Sequence, residues 1–288
     1  MTAYSLNLND GPCSVRSLLK QNGFSLTNCR RIQREGSVCV NDRPASLKSI
    51  IYPGDIVTID LTATPSPVIP EQAELLIAYE DEELIVINKP AGVLVHPTVK
   101  EGGQTIANFL AYYFAAKGLN TKIHPLYRLD RNTSGLVIFA KKPEIQHQLS
   151  LQELQKEYLG LLQNCPPEGA GVIKFPIGRK PGSIIERQVD CVNGKKSLTS
   201  YTVLAKYARG ACLVKFQLHT GRTHQIRVHS AAIGCPLVGD SLYGEPGPQT
   251  RQALHCWRIT FRHPLRGSLI KISAPLPQEF LRLLANYR

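Results

Sequence analysis

With 288 residues, 43% hydrophobic and 19% charged, the chain has the composition of a globular protein with room for a sizeable core, not of a disordered or fibrous one. Its 34 Lys and Arg against 22 Asp and Glu give a formal net charge of +12, which points to a polyanionic partner, nucleic acid first. No apolar run reaches the roughly 18 residues of a membrane span, the first residues lack the basic start and apolar core of a signal peptide, and the cysteines form no Cys-x-x-Cys pair. The expectation is a cytoplasmic protein with reduced thiols and no membrane, metal or cofactor.

Residues 14–21 and 26–34 carry apolar positions at helical spacing on either side of Asn22-Gly23, and residues 37–41 and 56–61 alternate as strands. Gly36, Asn41-Asp42 and Pro53-Gly54-Asp55 punctuate them. Lys20, Arg30, Arg31 and Arg34 gather on the two helices. They read either as a solvated helix face or as an RNA-binding surface, and their coincidence with a strand-and-turn pattern favours the second. Between Leu61 and Glu71 three prolines interrupt all periodicity, which predicts an extended linker. The expected division is a small head over 1–62, a linker over 63–75 and a body over 76–288.

In the body, strands are expected over 84–88, 135–141, 158–163, 200–207 and 211–218, with helices over 144–155 and 222–233. Strand runs broken by single helices, without a repeating βαβ rhythm, predict an α+β sheet rather than a doubly wound one.

The chemistry concentrates in Leu-Tyr-Arg-Leu-Asp-Arg-Asn-Thr-Ser-Gly-Leu, residues 126–136, where Asp130 stands between Arg128 and Arg131 at the mouth of an apolar strand. A carboxylate placed there can attack or stabilise an electron-poor carbon. The same residues also read as a surface ion-pair cluster. Four further segments accompany it: Asn88-Lys89-Pro90-Ala91-Gly92, a forced turn beside a strand; Lys156-Glu157-Tyr158, opening a strand; Gly194-Lys195-Lys196-Ser197, a basic turn; and Leu218-His219-Thr220-Gly221-Arg222-Thr223-His224-Gln225-Ile226-Arg227, continuing through Pro236-Leu237 to Asp240. So many donors together suit phosphate or a buried anion.

Together these segments, over about residues 80–280, resemble the pseudouridine synthases of the ribosomal large-subunit (RluA) type, which convert uridine in RNA to its carbon-linked isomer. The resemblance implies a catalytic domain with a mixed, mainly antiparallel sheet and no cofactor. It implies that Asp130 is catalytic, that Tyr158 stacks on the target base and that Arg227 pairs with Asp130. Arg128, Leu129, Thr133, His224, Gln225, Pro236 and Leu237 would surround the substrate, with Arg128 filling the space the extruded nucleotide leaves and Pro236-Leu237 walling the uracil pocket. His224 and Gln225 read equally as residues that cap or orient loops. One position departs from the pattern: Tyr127 stands where relatives carry His, which bears on target choice more than on chemistry.

The head phrases Gly-Ser-Val-Cys-Val-Asn-Asp-Arg-Pro and Pro-Gly-Asp-Ile-Val-Thr-Ile resemble an S-four-like RNA-binding module, a small N-terminal α/β domain. Such heads accompany ribosomal-RNA members of the family, so ribosomal RNA is favoured over transfer RNA as partner of a monomer. The competing readings are a non-catalytic RNA-binding or ribosome-assembly factor, and a base-excising glycosidase, which needs a second carboxylate to activate water.

Overall fold

The computed structural model describes residues 2–5, 10–24, 26–61, 68–98, 101–119, 121–245 and 251–287. The head contains β1 (Thr2–Ser5), β2 (Cys13–Ser14), α1 (Val15–Gln21), α2 (Leu26–Glu35), β3 (Gly36–Val40), β4 (Arg43–Pro44), β5 (Ile50–Ile51) and β6 (Ile56–Leu61). Ser14 caps α1 by accepting from the Ser17 amide at 3.2 Å, and Val15, Leu18 and Leu19 turn one stripe of that helix inward. With Cys29 and Ile32 of α2 they cover Val38, Val57 and Ile59 of a four-stranded sheet ordered β1-β6-β3-β4. The tight β3–β4 turn is built on Asn41 and Asp42, both at positive φ (49° and 61°), as their residue types favour.

The predicted linker is only partly described, since residues 62–67 lie outside the described set. From Val68 the described chain packs on the body. Val68 is buried in the body core, Asn108 Nδ2 donates to the Ile69 carbonyl at 2.8 Å, and the Glu71 amide donates to the Asn108 carbonyl at 3.1 Å.

The body runs β7 (Ile77–Glu80), β8 (Leu84–Lys89), α3 (Ile106–Ala116), β9 (His124–Pro125), β10 (Ser134–Ala140), α4 (Pro143–Ser150) and β11 (Gln155–Leu162). It continues with β12 (Ala170–Ile173), β13 (Ile177–Arg179), β14 (Arg187–Val189), β15 (Thr199–Lys206), β16 (Cys212–Leu218), α5 (Gln225–Ala232), β17 (Leu254–Arg262), β18 (Leu269–Ser273) and α6 (Gln278–Ala285). Ten strands form one sheet along β12-β15-β16-β11-β17-β10-β8-β7, with β18 on β17 and β9 on β10. Every pairing in it is antiparallel except β10 with β17. The sheet is therefore α+β and mainly antiparallel, as expected. Among the described residues no helix is long and apolar enough to cross a membrane.

Two predicted helices are shorter than the periodicity suggests. The helix expected over 144–155 ends at Ser150, because Gln155 already opens β11. The one expected over 222–233 starts at Gln225, because His224 holds φ 56°, a left-handed conformation that no helix interior accepts.

The parallel contact between β10 and β17 depends on one glycine. Gly135 lies at φ +111°, and a Cβ there would overlap the Cys256 backbone of β17. Gly135→Ala is expected to destabilise the protein by roughly 3 kcal/mol, combining a forbidden φ with forced strand separation. Thermal denaturation checks this; an unchanged melting temperature would refute the close approach.

Candidate active site

Strand β10 is buried along its whole length, so a charge in this segment can stand only at its mouth. Asp130 stands there, on a turn closed by the Thr133 amide donating to the Asp130 carbonyl at 3.1 Å. The turn is clamped from distant parts of the chain. The Arg131 carbonyl accepts from the Gly92 amide at 3.0 Å and from Lys89 Nζ at 2.9 Å. The Asn132 carbonyl accepts from Arg251 Nη1 at 3.1 Å, and Thr133 Oγ1 accepts from Gln252 Nε2 at 3.3 Å.

Lys89 is fully buried and spends its other two protons on the Pro90 and Val93 carbonyls, at 2.9 and 2.8 Å. It thereby fastens the Pro-Ala-Gly turn to the Asp130 turn. Burial pushes its pKa down to about 7, against an upward pull from the Asp130 charge.

The arginines beside Asp130 in sequence are not its partners. Arg131 pairs with Glu101, and Arg128 lies exposed on the cleft. The partner is Arg227 on α5, whose Nη1 sits 3.5 Å from Asp130 Oδ2. Its other nitrogens fork onto Asp240, Nε to Oδ2 at 2.8 Å and Nη2 to Oδ1 at 2.7 Å. Asp240 is fully buried and also accepts from the amides of Leu242 and Tyr243, at 3.1 and 3.2 Å. Burial alone lowers the Arg227 pKa, but the Asp240 hydrogen bonds and charge, with Asp130 beyond them, raise it above the ordinary value. Asp240 was within the sequence segment singled out, yet nothing local marked it as the residue that aims Arg227.

His224 approaches from the same side. The Arg187 amide donates to the Tyr243 hydroxyl at 2.8 Å, that hydroxyl is hydrogen-bonded to His224 Nδ1, also at 2.8 Å, and Nε2 faces Asp130 Oδ1 at 3.9 Å. Burial depresses the His224 pKa while Asp130 raises it, and the net shift is downward.

Tyr158 lines the cleft from β11, where the register shifts between Glu157 and Tyr158, an irregularity of the kind that re-aims a side chain. Its phenol is held well above its usual pKa by burial, with Cys256 beside it. Tyr127 lines the same cleft, donates to the Leu136 carbonyl at 2.8 Å, and lies under Lys156 Nζ at 4.9 Å from its ring centre.

Behind the turn, Ser134 donates to His255 Nδ1 at 2.9 Å, and His255 Nε2 faces the Ala274 carbonyl at 3.4 Å. Burial pushes the His255 pKa down to about 4. In the unfolded chain a histidine titrates near 6.5, so between these values the unfolded state binds a proton that the native state refuses. The contribution is complete above pH 6.5 and is lost as pH falls toward 4, by roughly 3 kcal/mol. Urea midpoints at pH 7 and 4.5 are expected to show that drop, with a shallower one in His255→Gln; equal drops in both proteins would remove His255 as its source.

The cleft encloses about 820 Å³ and is lined by Asp130, Tyr158, Arg227, Arg128, Leu129, Thr133, His224 and Gln225 among others. Leu129 and Thr133 are buried in its wall. Gln225 is committed internally: its Oε1 accepts from Thr220 and the Arg222 amide, its Nε2 donates to Leu198 and Thr199. These bonds hold it to the surrounding loop while it lines the cleft. Pro236 and Leu237 do not line the cleft among the described residues. Leu237 is fully buried in the body core, bridged to Leu162 and packed over Gly160. On the head, Lys20, Arg30 and Arg34 are exposed and Arg31 is half-buried.

A family model described as RNA pseudouridylate synthase matches residues 83–232. The uncharacterized RNA pseudouridine synthase YhcT of Bacillus subtilis (strain 168) is 40% identical over 258 residues, covering 86% of this chain and 84% of that protein. The ribosomal large subunit pseudouridine synthase D of Neisseria meningitidis serogroup A (strain Z2491) is 34% identical over 276 residues, covering 88% and 73%. Among solved structures, human RNA pseudouridylate synthase domain containing 4 aligns with a TM-score of 0.60 and 25% identity, over 74% of this chain and 92% of that one.

Proposed function

The chain belongs to the RNA pseudouridylate synthase family and is an isomerase of uridine in RNA; from that premise we propose that Asp130 carries the chemistry, with Tyr158 and Arg227 beside it, and that ribosomal RNA is the substrate. The observation that carries the site assignment is a carboxylate about a quarter exposed in an open cleft, with a fixed guanidinium nitrogen 3.5 Å away.

The reaction breaks the bond from uracil N1 to the sugar, turns the base, joins C5 to the same sugar carbon, releases the C5 proton to solvent and leaves N1 carrying a proton in its place. Asp130 supplies the oxygens that bond to, or stabilise, the electron-poor centre while the base is detached. Arg227 Nη1 holds those oxygens in place, and Tyr158 offers a ring to the uracil face. The nucleotide leaves its stack to reach them, at a cost of about a few kcal/mol that is smallest in loops and bulges.

The ribosomal assignment is supported by the name of the Neisseria relative and by the net charge of +12. The head acts as the S-four-like module, its Lys20, Arg30, Arg31 and Arg34 taking phosphates and adding affinity without reading sequence. Transcribed ribosomal and transfer RNA labelled with tritium at uridine C5 test the assignment. Tritium release from ribosomal RNA without free uracil is expected. Release confined to transfer RNA would overturn the substrate, and free uracil would overturn the isomerase chemistry in favour of a glycosidase.

A further inference from the structure

The mouth of the cleft carries apolar surface that the isomerisation does not use. Ile185, in the loop joining β13 to β14, and Leu242, on the turn after Asp240, both line the cleft that holds Asp130. They keep 58% and 38% of their surface exposed. Single exposed aliphatic side chains are ordinary. Here two separate elements bring them to one opening.

The Ile185 loop is ordered rather than frayed. Ser183 Oγ accepts from the amides of Ile185 and Glu186 at 3.3 and 3.0 Å, and Arg187 Nη1 donates to the carbonyls of the same two residues, each at 3.0 Å. The Lys180 amide donates to the Glu186 carbonyl at 3.2 Å, and Lys180 Nζ pairs with Glu186 at 3.0 Å. Ile185 is thus held toward solvent in a fixed place, with its ordering cost met before any partner arrives. The hairpin is also seated on the site, since the Arg187 amide rests on Tyr243, the partner of His224.

Resting on the synthase reading, we propose that Ile185 and Leu242 form a lip that receives the face of an unstacked RNA base adjoining the target uridine. A uridine drawn from its stack leaves its neighbour with one uncovered face, and a rigid apolar surface beside the cleft covers it, as aromatic platforms do for single strands. An RNA base is the occupant because the lip opens into the uridine cleft, and Arg128, Lys156 and Arg222 line that cleft with the positive charge a phosphate backbone requires.

Ile185→Ser alters only this exposed loop. It is expected to raise KM for tritium-labelled ribosomal RNA about fivefold while kcat changes by less than about twofold, because a contact made equally in ground and transition states affects binding alone. With p-benzoylphenylalanine at position 185, photocrosslinks are expected on a nucleotide next to the modified uridine. An unchanged KM in Ile185→Ser, or crosslinks only at distant nucleotides, would overturn the lip while the wild type remains active. A wild type that releases no tritium from any RNA would remove the synthase reading, and the lip with it.

Discussion

Asp130→Asn will lower kcat for tritium release by at least about a thousandfold, the scale on which enzymes lose activity when the group acting on the substrate is removed. The amide keeps the shape of the carboxyl and removes its charge. Because the Asp130 side chain is 26% exposed, the new amide is not stranded without water, and Arg227 stays held by Asp240. Melting temperature and affinity for RNA are therefore expected to stay close to wild type. Filter binding and thermal denaturation beside the tritium assay separate the outcomes. Residual activity above a tenth of wild type would take the chemistry away from Asp130, and a parallel loss of binding would make it a structural residue.

Asp240→Ala is expected to damage both stability and catalysis. It leaves a guanidinium that is 6% exposed without its forked partner, and it strips the acceptor from two backbone amides. Breaking one side of a buried ion pair costs about 3–5 kcal/mol. Arg227 then loses the anchor that fixes Nη1 beside Asp130, so kcat should fall by about a hundredfold, as for other displaced catalytic donors. Denaturant midpoints and kcat, both measured below the variant's own transition, check this. A full-stability, fully active Asp240→Ala protein would mean the fork contributes nothing. Arg227→Lys should resemble it in activity, because an ammonium cannot satisfy Asp240 and Asp130 together in this geometry.

Much of this arrangement is legible in the residues themselves. The buried strand behind Asp130, the head helices and the turns at Asn41-Asp42 and Pro90-Ala91-Gly92 follow from short-range pattern and turn chemistry. What was not legible is long-range or lacks contrast. Helix α3, Ile-Ala-Asn-Phe-Leu-Ala-Tyr-Tyr-Phe-Ala-Ala, is apolar on nearly every side, so no polar face announces its period. The fork from Asp240 to Arg227 joins a loop to a helix through side-chain geometry. Lys89 resembles any lysine at a strand end, and only the fold shows three carbonyls closing around its ammonium. Local charge alone points to the arginines next to Asp130; it is the family resemblance, not spacing, that names Arg227, which reaches Asp130 from α5.

Strand β17 lies between β10 and β11 although it is made long after both. Asp130 lies on the turn before β10 and Tyr158 stands within β11, two strands joined only through β17, and Arg251 just ahead of β17 completes the grip on the Asp130 turn. Because chains fold from the N-terminus as they emerge, activity is expected only after this late segment has cleared the ribosome. A nascent chain stalled before residue 251 would carry every residue assigned to the chemistry and still have no active site.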